Sequence, residues 1–146
     1  MIDITEKNAV LRIAKASGKI KLSKNTIEKI KSNALEKGDL FTIAKVSAIN
    51  GVKKVPELIP FCHPIPINNV KIELDIGDEI LKVTCIVKSI AKTGVEMEAL
   101  TGVSTALLNI WDVVKKHEKD DSGQYPSTLI MDIKVEEKIK ESGYGK

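Results

Sequence analysis

The sequence predicts an α+β domain of the ferredoxin-like sandwich type: an antiparallel sheet covered by helices on one face, with an extra N-terminal arm and helix. Three observations predict it. Val70 to Ile76 and Leu81 to Val87 alternate apolar and polar residues on either side of Gly77-Asp78, the pattern of a hairpin with one buried face. Val95 to Lys119 carries Leu100, Val103, Leu107, Ile110 and Val114 as one helical stripe. A last strand-like run, about Ser127 to Val135, follows Gly123 and Pro126.

Taken in order, residues 1–22 show little period and are expected to form the arm. Ser23 is a good N-cap for a helix from Lys24 to Glu36, with Ile27, Ile30, Ala34 and Leu35 on one face and Gly38 as its stop, so residues 23–37 make the extra helix. Leu40 to Ile49 is mostly apolar and reads as a strand, broken by Asn50-Gly51. Val52 to Ile59 reads as a short helix in a stretch stiffened by Pro56, Pro60, Pro64 and Pro66. With the hairpin, long helix and final strand, residues 40–136 then run βαββαβ, and 137–146 are left as a tail. No repeat or linker divides the chain, so residues 1–146 are expected to be one domain.

Composition narrows the function classes. With 146 residues, 42% hydrophobic and 29% charged, the chain can bury a core without disulfides or metal. No apolar run approaches a membrane span, and Met1-Ile2-Asp3-Ile4-Thr5-Glu6 lacks the basic start and apolar core of a signal peptide. Cys62 and Cys85 form no CxxC pair, so neither a disulfide framework nor a thiolate zinc site is expected, and a reducing cytosol is the expected compartment. A formal charge of +3 is too mild for a nucleic-acid footprint, and the five aromatic residues, Phe41, Phe61, Trp111, Tyr125 and Tyr144, form no stacking pair of the RNA-recognition kind. Of 23 basic side chains only Arg12 is an arginine. A lone guanidinium suits a phosphate or carboxylate that needs its planar fork, although compositional bias alone explains such a skew equally simply.

Three places carry polar residues the fold does not require. Pro60-Phe61-Cys62-His63-Pro64 presents His63 on a stiff, extended loop, where it either keeps a functional aim or fills a polar gap. Thr93-Gly94-Val95-Glu96-Met97-Glu98 opens the long helix, where acids are also ordinary partners of the helix dipole. Asp112 and Lys115, three apart on that helix, are either a solvated ion pair or a proton-handling couple. Glu98 and Asp112 are fourteen residues apart, which returns them to within about 40° of one azimuth but separates them by about 21 Å along the axis. A small ligand touches both only if a two-fold partner lays its own helix alongside. His63 and His117 are far apart in sequence, and no His/Cys/Asp cluster has metal-ligand spacing.

Leu58-Ile59-Pro60-Phe61-Cys62-His63-Pro64 and Lys92-Thr93-Gly94-Val95-Glu96-Met97-Glu98-Ala99-Leu100-Thr101 closely resemble the two hallmark stretches of the cyclic pyranopterin monophosphate synthase family, molybdenum cofactor biosynthesis protein C. Met1-Ile2-Asp3-Ile4 resembles that family's opening, Glu36-Lys37-Gly38-Asp39 its KGD turn, and Asp112 with Lys115 its own Asp and Lys at the same distance from the acidic motif. The resemblance implies conversion of 3′,8-cyclo-7,8-dihydroguanosine 5′-triphosphate to cyclic pyranopterin monophosphate with release of pyrophosphate. It also implies a homohexamer, a trimer of dimers, with active sites at the dimer interface; composition already argues against a membrane or nucleic-acid partner. It requires no cofactor, and a magnesium ion carried in with the triphosphate is compatible with it.

Carried over residue by residue, the resemblance makes Asp112 the catalytic carboxylate with Lys115 and Lys37 beside it. It places Phe61, Cys62, His63, Glu96, Met97 and Glu98 at the substrate, and Arg12, Asp3 and Lys138 with them. Lys115 is expected to shuttle a proton, with a pKa lowered by neighbouring cations and a charge state set by Asp112. The ending Lys138-Ile139-Lys140-Glu141-Ser142-Gly143-Tyr144-Gly145-Lys146 departs from the family's Gly/Ser/Lys-rich loop, so Lys138 is the best match to its terminal lysine, with Lys140 and Lys146 as alternatives. A member that only binds a nucleotide or pterin is the rival reading.

Overall fold

The computed structural model describes residues 1–143. The elements run β1 (Val10–Lys21), α1 (Lys24–Lys31), α2 (Leu40–Lys53), α3 (Val55–Leu58), β2 (Asn69–Ile76), β3 (Ile80–Ala91), α4 (Glu96–Glu118) and β4 (Leu129–Glu141). All strand pairs are antiparallel, and the sheet order is β2-β3-β1-β4. That is the ferredoxin-like arrangement, with α2 and α4 packed together on one face of the sheet.

The order βαββαβ is therefore present, but its first two members are β1 and α2. Residues 1–22 are not all arm: β1 is a central strand with β3 on one side and β4 on the other. Its helix-facing positions Ala14, Ala16, Gly18 and Ile20 are fully buried, and most are small because α4 lies close. A Cβ on Gly18 would stand 2.8 Å from Leu107 Cδ1 and from Val103 Cγ1. This is why the strand lacks the bulky alternation that marks β2 and β3.

Leu40–Ile49 is helix, not strand. Leu40, Ala44, Ala48 and Val52 recur every four residues and are all buried, and the Asp39 carboxylate caps the helix by accepting from Thr42 N at 2.9 Å. α1 stops at Lys31 rather than Glu36, because Asn33 turns the chain in the left-handed region at φ 54°. The short helix is confined to Val55–Leu58. β4 reaches Glu141, so the strand takes up half of the expected tail and brings Lys138 and Lys140 into the sheet.

The core lies between the sheet and the α2–α4 layer, around Val83, Val87, Val103, Leu107 and Ile110. Glu118 at the end of α4 ties three elements together. Its carboxylate accepts from Ser23 N–H and hydroxyl, from the Thr26 hydroxyl and from the Thr128 hydroxyl, at 2.6–3.0 Å for the shorter contact of each donor. Among the described residues, no helix is long and apolar enough to cross a membrane.

Candidate active site

Both ends of α4 carry polar clusters. At its N-terminal end Glu98 is only 3% exposed. Burial pushes its carboxyl pKa up, and the neighbouring Glu96 charge adds to this against the pull of its own backbone N–H. Cys62 and His63 come across from the proline-braced loop, whose turn is closed by Cys62 N donating to Ile59 O at 2.9 Å. With Thr93, Met97 and Glu98 they line a cavity of about 300 Å³. Burial, with Glu98 close by, raises the Cys62 thiol pKa, so it sits there as a neutral polar wall and not as a thiolate. Phe61 is 80% exposed and stands outside this cavity, so a single protomer does not bring it in as expected.

His63 also faces a second cavity, about 450 Å³, which it shares with Asp3, Thr5 and Lys92. Lys92 Nζ donates to Thr5 O at 2.8 Å, and Thr5 N–H donates to Asp3 Oδ1 at 2.8 Å, so the N-terminal segment is folded onto the loop. The Thr5 N–H and hydroxyl hold the Asp3 carboxyl below its ordinary value, and His63 and Lys92 assist.

On the other side of Glu96 lies an open groove of about 950 Å³, lined by Lys7, Arg12, Lys138 and Lys140 together with Thr93 and Glu96. Arg12 leans on the end of β3, donating to Ala91 O at 3.5 Å and Lys92 O at 3.4 Å. The register sets Lys138 opposite Ala14 and Lys140 opposite Arg12. Both therefore line the groove, and Lys146 falls outside the described residues. Lys138 Nζ sits 2.7 Å from Glu96 Oε1. Partial burial raises the Glu96 pKa, but Lys138, its own backbone N–H and Arg12 outweigh that, and the carboxyl titrates below its ordinary range.

At the far end of α4, Asp112 is gripped by two lysines. Lys115 Nζ is 2.7 Å from Oδ1 and Lys37 Nζ is 2.8 Å from Oδ2. Lys37 rides on the loop after α1, which is pinned by the buried Leu35 and by Lys116 Nζ donating to both Glu36 oxygens at 2.7 Å. The two lysines hold the Asp112 pKa down to about 2, with Lys115 contributing most. Lys115 departs from expectation: its pKa is raised by Asp112, not lowered by cations, so this protomer keeps it as an ammonium group.

The structure thus gathers Cys62, His63, Met97 and Glu98 in one cavity, with Asp3 behind His63, and Arg12, Glu96 and Lys138 in the adjoining groove. It separates all of these from Asp112, Lys115 and Lys37, which lie about 21 Å further along the helix. Lys7 lines the groove although the sequence does not reveal it, since the folding-back of the arm places it; Lys92, just past the end of β3 beside Thr93, meets that arm through Thr5 O. Among the described residues, no three His, Cys, Asp or Glu side chains gather as a metal site.

Fold and site together define a ferredoxin-like domain with a basic groove beside a buried carboxyl. The chain belongs to the MoaC family, whose sequence model matches residues 1–141. Its similar relatives include a Sulfurisphaera tokodaii protein, 57% identical over 140 residues, covering 96% of this chain and 93% of its own length. A Methanosarcina acetivorans protein is 54% identical over 140 residues (96% and 89%), and a Sulfolobus acidocaldarius protein 54% identical over 143 residues (98% and 100%). Each of the three is named a probable cyclic pyranopterin monophosphate synthase.

Proposed function

We propose that this chain is a cyclic pyranopterin monophosphate synthase. It converts 3′,8-cyclo-7,8-dihydroguanosine 5′-triphosphate to cyclic pyranopterin monophosphate and pyrophosphate, a pyrophosphate-releasing lyase step in molybdenum cofactor biosynthesis. The observation that carries the reading is the MoaC sequence match together with Asp112 held between Lys37 and Lys115.

The groups suit the chemistry. Opening the purine ring, closing the pterin ring and forming the cyclic phosphate all move protons in sequence. Lys115, kept charged by Asp112, is a proton donor in the resting pair, and Asp112 stabilises whichever nearby group becomes cationic. Arg12, Lys138, Lys140 and Lys7 supply positive charge for the triphosphate and for the pyrophosphate that leaves it. Cys62, His63, Met97 and Glu98 are assigned to the ring system, and the raised pKa of Glu98 suits it to donate as well as accept. No resident cofactor enters this scheme.

The distance along α4 gives the second half of the proposal. One substrate reaches both ends of the helix only if the partner of a two-fold dimer supplies the opposite end, which supports a site between protomers. Assembly of such dimers into a hexamer is what the resemblance to the family adds to this proposal, not the distance. The exposed Phe61 is then a residue for the partner's side of the site. The proposed compartment is the cytosol, in keeping with two free cysteines.

Pyrophosphate release from the cyclised triphosphate, with Asp112→Ala beside the wild type, tests the reading. Release by the wild type and its loss in the variant is the expected result. A folded, oligomeric wild type that releases none would overturn it in favour of a binding-only protein.

A further inference from the structure

The basic groove contains one group that a polyanion does not need. Among the described residues lining it, four are cationic and Glu96 is the single carboxylate. That carboxylate is not at the rim. Its side chain is 28% exposed, Oε1 is 2.7 Å from Lys138 Nζ, and Oε2 lies where a Cβ on Gly94 would have to stand. Glycine at position 94 therefore gives the carboxylate its place, and Lys138 with Arg12 supplies the charge that keeps it there.

A fixed negative charge in a seat for phosphates costs affinity, because like charges brought together are strongly unfavourable. For an enzyme that must discharge pyrophosphate at every turnover, lower affinity for that product is an advantage. Glu96 also stands on the wall shared with the cavity of Cys62 and His63, so a carboxylate displaced from Lys138 has open space on its other side.

We infer that Glu96 competes with bound polyphosphate for Lys138, with Gly94 as its resting place, and so sets how tightly the groove keeps pyrophosphate. It is a positioning residue: the phosphates displace it and are not held by it. The inference rests on the reading of the groove as the phosphate seat.

The test uses inorganic pyrophosphate and calorimetry on the full-length protein. Glu96→Gln keeps the shape and removes the charge, and it is expected to tighten pyrophosphate binding about tenfold. Gly94→Ala forces the carboxylate off its place and should tighten binding in the same direction by less. Lys138→Met should weaken binding and cancel the gain of Glu96→Gln when the two are combined. In turnover, Glu96→Gln should lower KM and kcat together, as slow product release requires. An unchanged or weaker Kd in Glu96→Gln would overturn the inference and make Glu96 a support for Lys138. So would a wild type that does not bind pyrophosphate at all. If pyrophosphate binding responds as expected while the cyclised triphosphate is not turned over, the proposed function fails and the competition stands.

Discussion

Lys37 Nζ lies 2.8 Å from Asp112 Oδ2 and 3.1 Å from the main-chain carbonyl of the same residue, 75 positions away in sequence. A lysine on a loop thus grips a helix residue twice, and the carboxylate keeps its second oxygen for Lys115. Both partners are more than half exposed, so this contact contributes little to stability and its value lies in fixing charge and aim.

Lys37→Met should therefore leave the melting temperature within about 1 °C while pyrophosphate release falls by about a hundredfold or more. The Asp112 carboxyl, held at about 2 in the wild type, should titrate higher in the variant. Carboxyl NMR titration reads that shift directly. The depressed pKa also sets the sign for pH: the contribution of Asp112 is present above its unfolded pKa and is lost only as pH falls towards about 2. Asp112 should therefore not shape the activity profile near neutrality.

Glu98 has the opposite sign. Its pKa is raised in the folded state, so the charged form is penalised, and stability from this group rises as pH falls through the folded pKa. Glu98→Gln should raise the melting temperature at pH 8 by a few degrees, on the order of 1 kcal/mol, and the gain should shrink towards pH 4. Melting curves across that range check it. A gain that persists unchanged at pH 4 would mean that packing, not charge, is responsible. Activity in the same variant should fall, as expected where a stability penalty is retained for function.

Glu118 should be the most sensitive surface-proximal carboxylate. Glu118→Ala removes the acceptor for four donors, and two of these belong to Thr26 and Thr128, which are buried. The expected cost is about 2–4 kcal/mol, or a melting temperature lower by roughly 5–15 °C. Below the melting temperature, kcat should be unaffected because Glu118 lines none of the site cavities described above.

A site shared between protomers predicts complementation. Asp112→Ala and His63→Ala should each be inactive alone. When the two are unfolded together and reassembled, about a quarter of the sites should become wild type in both halves, and activity should recover to that level. No recovery from a correctly sized mixed oligomer would place both ends of the helix in separate functions.

How legible the molecule was depended on which force shaped each segment. The hairpin and α4 were readable because each buries one face of a regular period. α2 resembles a strand in sequence because Leu40–Ile49 is a short, mostly apolar run, and such runs do not declare their period; the Asp39-to-Thr42 cap is the signal that marks a helix. β1 was hidden because its buried face is built from Ala14, Ala16 and Gly18, chosen for the closeness of α4 and not for hydrophobic strength. In the site, the motif residues are legible as chemistry, and counting along the last strand reaches Lys138. Lys7 is not legible, since its place depends on how the arm folds back. The charge state of Lys115 is not legible, because spacing shows that Asp112 is near but not that its hydrogen bond and charge outweigh desolvation of the ammonium group.

The central position of β1 has a consequence for how the protein is made. The partners of β1, Ile80–Ala91 on one side and Leu129–Glu141 on the other, both follow it at long range in the sequence, so they leave the ribosome well after it. Until they emerge, β1 has no neighbour on either edge, and Lys15, Lys19 and Lys21 keep that waiting segment charged and hydrated. The sheet can close around its middle strand only after β4 has emerged, so its folding waits on the strand most distant in sequence and is slowed by the long loops that must be drawn together first.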